Sequence, residues 1–456
     1  YQNDLPVFAR PDTFFYRAKK FTNRNRWGIA AIAIIFLVLI GGFFTTMWQA
    51  QEAEKNAREA EQVSDFLAQI FEGSDPNRAN DGSMTARELL DQGFERAQTE
   101  LADEPGLQAQ MLSMIGNIYS NLGLYDDAYL AVEKSVELFH EMNQRSPEMA
   151  TALLRMANLE YRLSNFESAA DAARQSLDLN IRLFGEDHPE TASVMNTLAM
   201  SLEEIGEKEE AYDLYYRIID IRRNQPDQGS NLAVNLNNLA ILLQEDGRLD
   251  EADALFREAV ELIEEVLGEQ HPFMAYTLNG YSGVHQDRRE YDLAEADLRR
   301  ALEIGRAVFP PEHPFIAVVL HNLGGLFDEM ERYEDAVDYY NRGLDLRRQT
   351  LPPGHPDIAT SLESIGGVFI KSEKPVGAEP QLREALSILA EAYGETDWRA
   401  ARVESLLARS LLFQGKRAEA KELLDRSYPV LERELGSDNL HTQRAGRDLL
   451  ALENEL

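Results

Sequence analysis

Histidine is the residue in this chain best suited to acid–base or metal chemistry, and it recurs at a fixed place. The dipeptides His188-Pro189, His271-Pro272, His313-Pro314 and His355-Pro356 repeat, with Ser146-Pro147 ahead of them. A shared zinc site would need its imidazole nitrogens about 2.0–2.1 Å from one ion. Successive copies lie a repeat or more apart, on the order of 10 Å per packed helix layer, so they cannot converge on one ion. They read instead as helix starts. Proline suits a first helical turn because the amide it lacks would be unpaired there. Histidine just before it can cap the helix or pack at the turn. The acid pairs Glu203-Glu204, Glu209-Glu210 and Glu264-Glu265 suggest catalytic carboxylates. Adjacent residues on a helix point in different directions and cannot bracket a substrate, so these pairs read as solvated faces. No G-x-S-x-G, H-E-x-x-H or EF-hand signature occurs. The absence of Cys excludes thiol catalysis, Cys-ligated zinc and iron–sulfur clusters. No catalytic site, metal or cofactor is expected.

One polar set keeps a constant position along the chain: Asn196, Asn237, Asn279, His321, Glu363 and Ser405. Asn238 and Asn322 are neighbours in the same motif. A side-chain amide donates and accepts at once, which suits the backbone of an extended peptide. The alternative is that each Asn bonds the adjacent helix and steadies the stack. Taken together, the set favours binding.

The element that must position this set is a repeat. Ala128, Ala169, Ala211, Ala252, Ala294, Ala336, Ala378 and Ala420 follow one another at intervals of 41 or 42 residues. The turn dipeptides keep the same register, with Gly229-Ser230 and Asp397-Trp398 standing in their place in two units. Asn196-Thr-Leu-Ala, Asn237-Asn-Leu-Ala, Asn279-Gly-Tyr-Ser, His321-Asn-Leu-Gly and Glu363-Ser-Ile-Gly mark the first helix of each unit. Each unit is expected to be two antiparallel helices joined at turns such as Gly123-Leu-Tyr, Gly206-Glu-Lys and Gly247-Arg-Leu. Ala and Gly on the facing surfaces let the helices approach, and Leu, Tyr and Phe fill the gaps. One pair cannot bury its apolar face alone, so neighbouring pairs must stack.

Charge divides the chain differently. The whole carries a net charge of −34, which argues against sequence-independent nucleic-acid binding. Residues 1–48 nonetheless hold Arg10, Arg17, Lys19, Lys20, Arg24 and Arg26 against Asp4 and Asp12. Between the basic and acidic blocks lies the uncharged run WGIAAIAIIFLVLIGGFFTTMW, residues 27–48. It is long enough to cross a bilayer core of roughly 30 Å, with Trp at both ends where interfacial residues belong. The basic flank places the N-terminus in the cytoplasm and the remainder outside the membrane. The run is too long, and too far from the start, for a cleaved signal peptide. The sequence opens on Tyr1 rather than Met, as expected of a processed chain or a fragment.

Residues 49–71 read as a helix with an apolar stripe at Val63, Phe66, Leu67, Ile70 and Phe71. The stripe is too short for a coiled coil and favours packing on the next helix, while leaving a homodimer open. Gly73 to Ser83 is a turn-rich loop, and Thr85 to Glu88 is a capping box opening a helix that runs to about Asp103.

At this level the units resemble tetratricopeptide repeats, in the roughly 42-residue form found in kinesin light chains. The resemblance rests on HPETASVMNTLA, NLAVNLNNLAILLQEDGRLDEADALFREAVEL and HPFIAVVLHNLGGLFDEMERYEDAVDYYNRGLDL, and covers about 107–436. It implies an all-α, right-handed superhelical solenoid with first helices lining a concave groove, and it puts the polar set on that groove. The acidity makes a basic or polar partner segment more plausible there than an acidic one. A second resemblance covers about 1–105. LPVFARPDTFFYRAKKF, an apolar span, VSDFLAQIFEGSDP and MTARELLDQG look like the segment after the catalytic domain of bacterial membrane serine/threonine kinases. No Gly-rich phosphate loop, HRD-x-x-x-x-N or DFG is present, so such a kinase domain would precede Tyr1.

The expected plan is a cytoplasmic basic segment (1–26), a transmembrane helix (27–48), juxtamembrane helices and linker (49–106), eight repeats (107–436) and a capping helix (437–456). The expected role is a membrane-anchored module binding a protein or peptide in its groove, as the sensing or scaffolding arm of a kinase. A periplasmic array with a purely structural envelope role is the alternative.

Overall fold

A computed structural model describes residues 85–225 and 228–454 of the chain. The expected basic segment 1–26, transmembrane run 27–48 and stalk residues 49–84 lie outside the described residues. Among the described residues no helix is long and apolar enough to cross a membrane.

Every regular element described is an α-helix. The first, α1 (Ala86–Glu100), opens on the expected capping box. The Glu88 amide donates to Thr85 Oγ1 at 3.2 Å, and the Thr85 amide donates to Glu88 Oε2 at 2.7 Å. The helix stops at Glu100, short of Asp103, and residues 101–103 form a turn.

Eight helix pairs follow. They are α2 (Pro105–Asn121) with α3 (Tyr125–Glu141), α4 (Pro147–Arg162) with α5 (Phe166–Phe184), and α6 (Pro189–Glu204) with α7 (Lys208–Arg223). Next come α8 (Gly229–Glu245) with α9 (Leu249–Val266), and α10 (Pro272–Asp287) with α11 (Tyr291–Val308). The last are α12 (Pro314–Glu329) with α13 (Tyr333–Thr350), α14 (Pro356–Lys371) with α15 (Pro375–Tyr393), and α16 (Trp398–Phe413) with α17 (Arg417–Leu435). A final helix, α18 (Leu440–Asn454), packs on α17 and approaches α16.

The His-Pro dipeptides do what helix starts require. In His188, His271, His313 and His355, Nδ1 accepts the backbone amide two residues on, at 3.1–3.3 Å. Ser146 and Asp397 cap α4 and α16 in the same place. Each such bond satisfies an amide that the first turn leaves unpaired.

The turn inside each pair needs one residue in the left-handed region. Gly123, Gly206, Gly247 and Gly415 supply it in four units, with φ between 72° and 84°. Ser164, Arg289, Glu331 and Glu373 supply it in the other four, at φ of 58° to 62°. A side chain there costs free energy that glycine avoids.

All eight register alanines are fully buried between the helices of their pairs. Glycine serves the same end on some first helices. A Cβ on Gly324 would fall 2.7 Å from the Tyr340 ring, and one on Gly366 would fall 2.6 Å from Leu382. Close approach at these points lets large side chains fill the flanks, each burial stabilising by roughly 1.5–3 kcal/mol.

The chain divides into two compact units, Tyr1–Leu179 and Asn180–Leu456. In the first, Met111, Leu112, Ile115 and Tyr119 of α2 form a core with Leu90 and Ala97 of α1. In the second, one core runs through the pairs from Ile263 and Leu298 to Leu424, and reaches Ala445 and Leu452 of α18. Within this second unit, first helices of successive pairs approach each other more closely than second helices do, as at α8–α10, α12–α14 and α14–α16. The first helices therefore form the inner face of the stack.

Candidate functional site

The repeat places Asn196, Asn237, Asn279, His321, Glu363 and Ser405 at one equivalent position in successive first helices, each about two turns in. All of them fall in the second unit. The structure does not leave them as a row of free groups. The Asn196 Oδ1 accepts from Asn235 Nδ2 at 2.6 Å and from Asn238 Nδ2 at 3.4 Å. The Asn279 Oδ1 accepts from Asn322 Nδ2 at 2.9 Å. The Glu363 Oε2 accepts from Arg402 Nη2 at 2.7 Å. In each case the donor sits on the next first helix, so the bond staples neighbouring pairs. The stacking role weighed for asparagine is therefore present at Asn196 and Asn279.

The other members differ. Asn237 is buried, donates to Asn238 Oδ1 at 3.4 Å, and its own Oδ1 is buried without a hydrogen-bond partner. Ser405 is buried and donates to the Arg402 carbonyl at 2.8 Å. His321 packs on the Tyr340 ring at 4.8 Å between centroids. Burial, helped by Arg347, pushes its imidazole down to about 4, so it is neutral at pH 7. Asn196, Asn238, Asn279, Asn322 and Glu363 are only partly buried and keep a face toward the inner surface.

The acid pairs need one correction. Glu204, Glu209, Glu210, Glu264 and Glu265 are exposed as expected, but Glu203 is not. Its side chain turns inward on α6, where the Tyr215 hydroxyl donates to Oε2 at 3.3 Å. Burial, then the charge of Glu245, pushes its carboxyl up to about 7. The partly buried Glu363 is also raised by desolvation, but Arg402 opposes the shift. The reason is local: α6 brings a carboxylate inside with no arginine in contact, whereas α14 and α16 bring one of each.

Further groups escaped the sequence reading. The His285 ring lies between Glu290 Oε2 at 2.9 Å and Asp297 Oδ2 at 3.5 Å, and packs at a tilt against the Tyr281 ring. Burial pushes the Asp297 carboxyl up to about 6 against the pull of His285 and Arg300. This cluster ties α10 to α11. Among the described residues no group of His, Cys, Asp or Glu is arranged to hold a metal ion.

A concavity beside the polar set lies at the end of the inner face. It has a volume of about 1010 Å³ and runs across α14, α16 and α18, with Asp328 and Tyr340 at one margin. Glu363 and Arg402 sit in it as a pair, so one rung of the set opens directly onto a groove. The contribution of α18 to this wall was not legible beforehand, because a terminal helix reads only as a cap.

Comparison with known proteins agrees with this architecture. Models of the tetratricopeptide repeat match residues 109–139, 148–224, 231–296 and 273–349. The kinesin light chain-related protein 1 of Arabidopsis thaliana is 25% identical over 148 residues. That alignment takes in 32% of this chain and 24% of the relative, so the chain spans about a quarter of the relative's length. The apo form of RapI shares the fold at 14% identity, with 87% of this chain and 98% of that one covered and a TM-score of 0.52. A putative kinesin light chain of nearly identical repeats from Podosopora anserina is 21% identical over 45% of this chain and 98% of its own, with a TM-score of 0.41. The matched stretches between residues 109 and 349 are tetratricopeptide repeats, in an array similar to those of kinesin light chains.

Proposed function

We propose that this tetratricopeptide array is a protein-interaction module that holds an extended segment of a partner along its inner face. The observation that carries the reading is the groove across α14, α16 and α18, continuous with a polar inner face built from first helices. Stacked helical repeats generate extended concave surfaces of this kind, and partly buried amides can satisfy the backbone of a bound chain. The residues placed to contact it are Asn196, Asn238, Asn279, Asn322 and Glu363. Asn237, His321 and Ser405 act from behind, by holding the helices that present them.

The module is tethered by residues 27–48, with the array outside the cytoplasm, as the sensing or scaffolding arm of a serine/threonine kinase. The uncharged run, the basic flank before it and the order of motifs in residues 1–105 support this placement. Alkaline carbonate extraction and protease accessibility in intact spheroplasts test it. An array released by carbonate, or protected until the inner membrane is broken, overturns it.

The binding reading is tested by capture from membrane extract with the full chain in detergent, beside a variant carrying Asn238→Ala and Asn322→Ala. A captured protein, lost with the variant while thermal unfolding holds, supports a peptide groove. Capture of nothing, or of a protein indifferent to both changes, points to an envelope scaffold in which these amides only staple the stack.

A further inference from the structure

The groove at the end of the inner face has the opposite charge to the protein around it. The chain as a whole carries −34, yet three guanidinium groups in this groove have no carboxylate within 4.0 Å among the described residues: Arg409 on α16, and Arg444 and Arg447 on α18. The other charges there are spoken for. Lys371 Nζ pairs with Asp328 Oδ2 at 2.5 Å, and Arg402 pairs with Glu363. Glu373 at the rim and half-buried Asp448 on α18 are the remaining anions, and Asp448 feels all three free arginines. The Nε atoms of Arg402 and Arg409 are buried without an acceptor. Burial first, and then the charges of Arg402 and Arg444, hold the His441 imidazole below its ordinary value.

We infer that the last pair and the capping helix form an anion-binding end of the groove, which takes an acidic segment of a partner protein. An arginine fork left without a carboxylate is a ready donor to one. Arg409 comes from α16 and the other two arginines from α18, two helices that approach each other across the groove. Charges spread over both helices match an extended run of carboxylates better than one compact anion. The groove's 1010 Å³ is open enough for several residues. On this account α18 has two jobs: its Ala445 and Leu452 close the core, while Arg444 and Arg447 on its other side face the ligand. The expectation of a basic partner drawn from the overall charge does not hold for this end.

The inference rests on the reading of the array as a binding module, and the test separates the two. Fluorescein-labelled hexaglutamate and hexalysine are titrated into the full chain in detergent and followed by anisotropy. Hexaglutamate is expected to bind at least tenfold more tightly than hexalysine, with affinity falling steeply between 50 and 500 mM NaCl. Arg409→Ala with Arg444→Ala and Arg447→Ala is expected to weaken hexaglutamate at least tenfold. Arg447→Glu alone, at an exposed position where folding is not at stake, is expected to weaken it at least threefold. Equal binding of both peptides, or hexaglutamate binding untouched by Arg447→Glu, overturns the inference. If hexaglutamate fails while membrane extract still yields a partner sensitive to Asn238→Ala and Asn322→Ala, the binding module stands and only its acidic end falls.

Discussion

Two stretches of the inner face use the same helix positions with different chemistry. From α6 to α12 the staples made by the polar set are neutral amides, Asn196 with Asn235 and Asn279 with Asn322. From α14 to α18 the equivalent staple is an ion pair, Glu363 with Arg402, and Arg409, Arg444 and Arg447 beyond it have no carboxylate within 4.0 Å among the described residues. The apolar frame beneath is constant, since Ala252 and Ala378 are both fully buried. The frame fixes spacing, so the polar layer above it is free to vary. A neutral staple holds two helices and adds no long-range field. A charged staple holds them too, but each partner depends on the other to stay inside.

That dependence gives the largest expected effect. Arg402→Ala strands the Glu363 carboxylate in a site where only a small part of it meets water. Losing one partner of a fully buried pair costs about 3–5 kcal/mol, and the partial exposure of Arg402 brings the expectation to about 2–3 kcal/mol. Asn279→Ala, the matching cut in the neutral stretch, is expected to cost about 1 kcal/mol. Urea midpoints for the two variants measure the difference. Equal losses would erase the distinction between the stretches.

A smaller effect comes from Glu203, the buried carboxylate of the neutral stretch that has no arginine in contact. Its folded-state value near 7 lies above the ordinary 4.5. Between those values the folded chain holds a proton that the unfolded chain has released, so the stability this group permits is lost as pH rises through the window. Glu203→Gln is therefore expected to raise the urea midpoint relative to the parent at pH 8 and to change it little at pH 4.5. Glu363, with Arg402 opposing its shift, should show a weaker dependence in the same comparison. A Glu203→Gln gain that is the same at both pH values would show that the charge is not the cause.

The smallest effects concern the turns, which are common to both stretches. Gly247→Ala is expected to cost about 1 kcal/mol, because φ of 72° disfavours any Cβ. Glu331→Gly relieves the same strain at φ of 58° but loosens the unfolded chain, for a net gain of about 0.5 kcal/mol or less. Thermal unfolding of both variants checks the sign, and a destabilising Glu331→Gly would mean that its side chain contributes to the turn.

Much of this protein was legible before any coordinates. The alanine interval gave the register of all eight pairs, because a position pressed between two helices admits only a small side chain in every copy. The His-Pro dipeptides were read as helix starts rather than ligands, and the Nδ1 bonds of His188, His271, His313 and His355 bear that out. The site was legible only in part. The polar set was located, but its division into stapling, buried and inward-facing members was not. Glu203 was read as solvated, and Arg409, Arg444 and Arg447 were not singled out at all.

The physical reason is the distance over which each property is decided. Helix starts, turns and close-packed alanines depend on residues a few positions away or on the same position one repeat on, and a repeating sequence displays both. Whether a polar side chain is paired depends on a partner from another helix, at separations such as 39 for Glu363 with Arg402 and 43 for Asn279 with Asn322. Those separations bracket the repeat without equalling it, because Arg402 sits about a turn before the position equivalent to Glu363, and Asn322 sits just after the position equivalent to Asn279. The sequence by itself determined the helices, their pairing and the positions that must stay small. Only the stacking of one pair on the next decided which charges were buried, which were matched, and where a groove of opposite sign was left open.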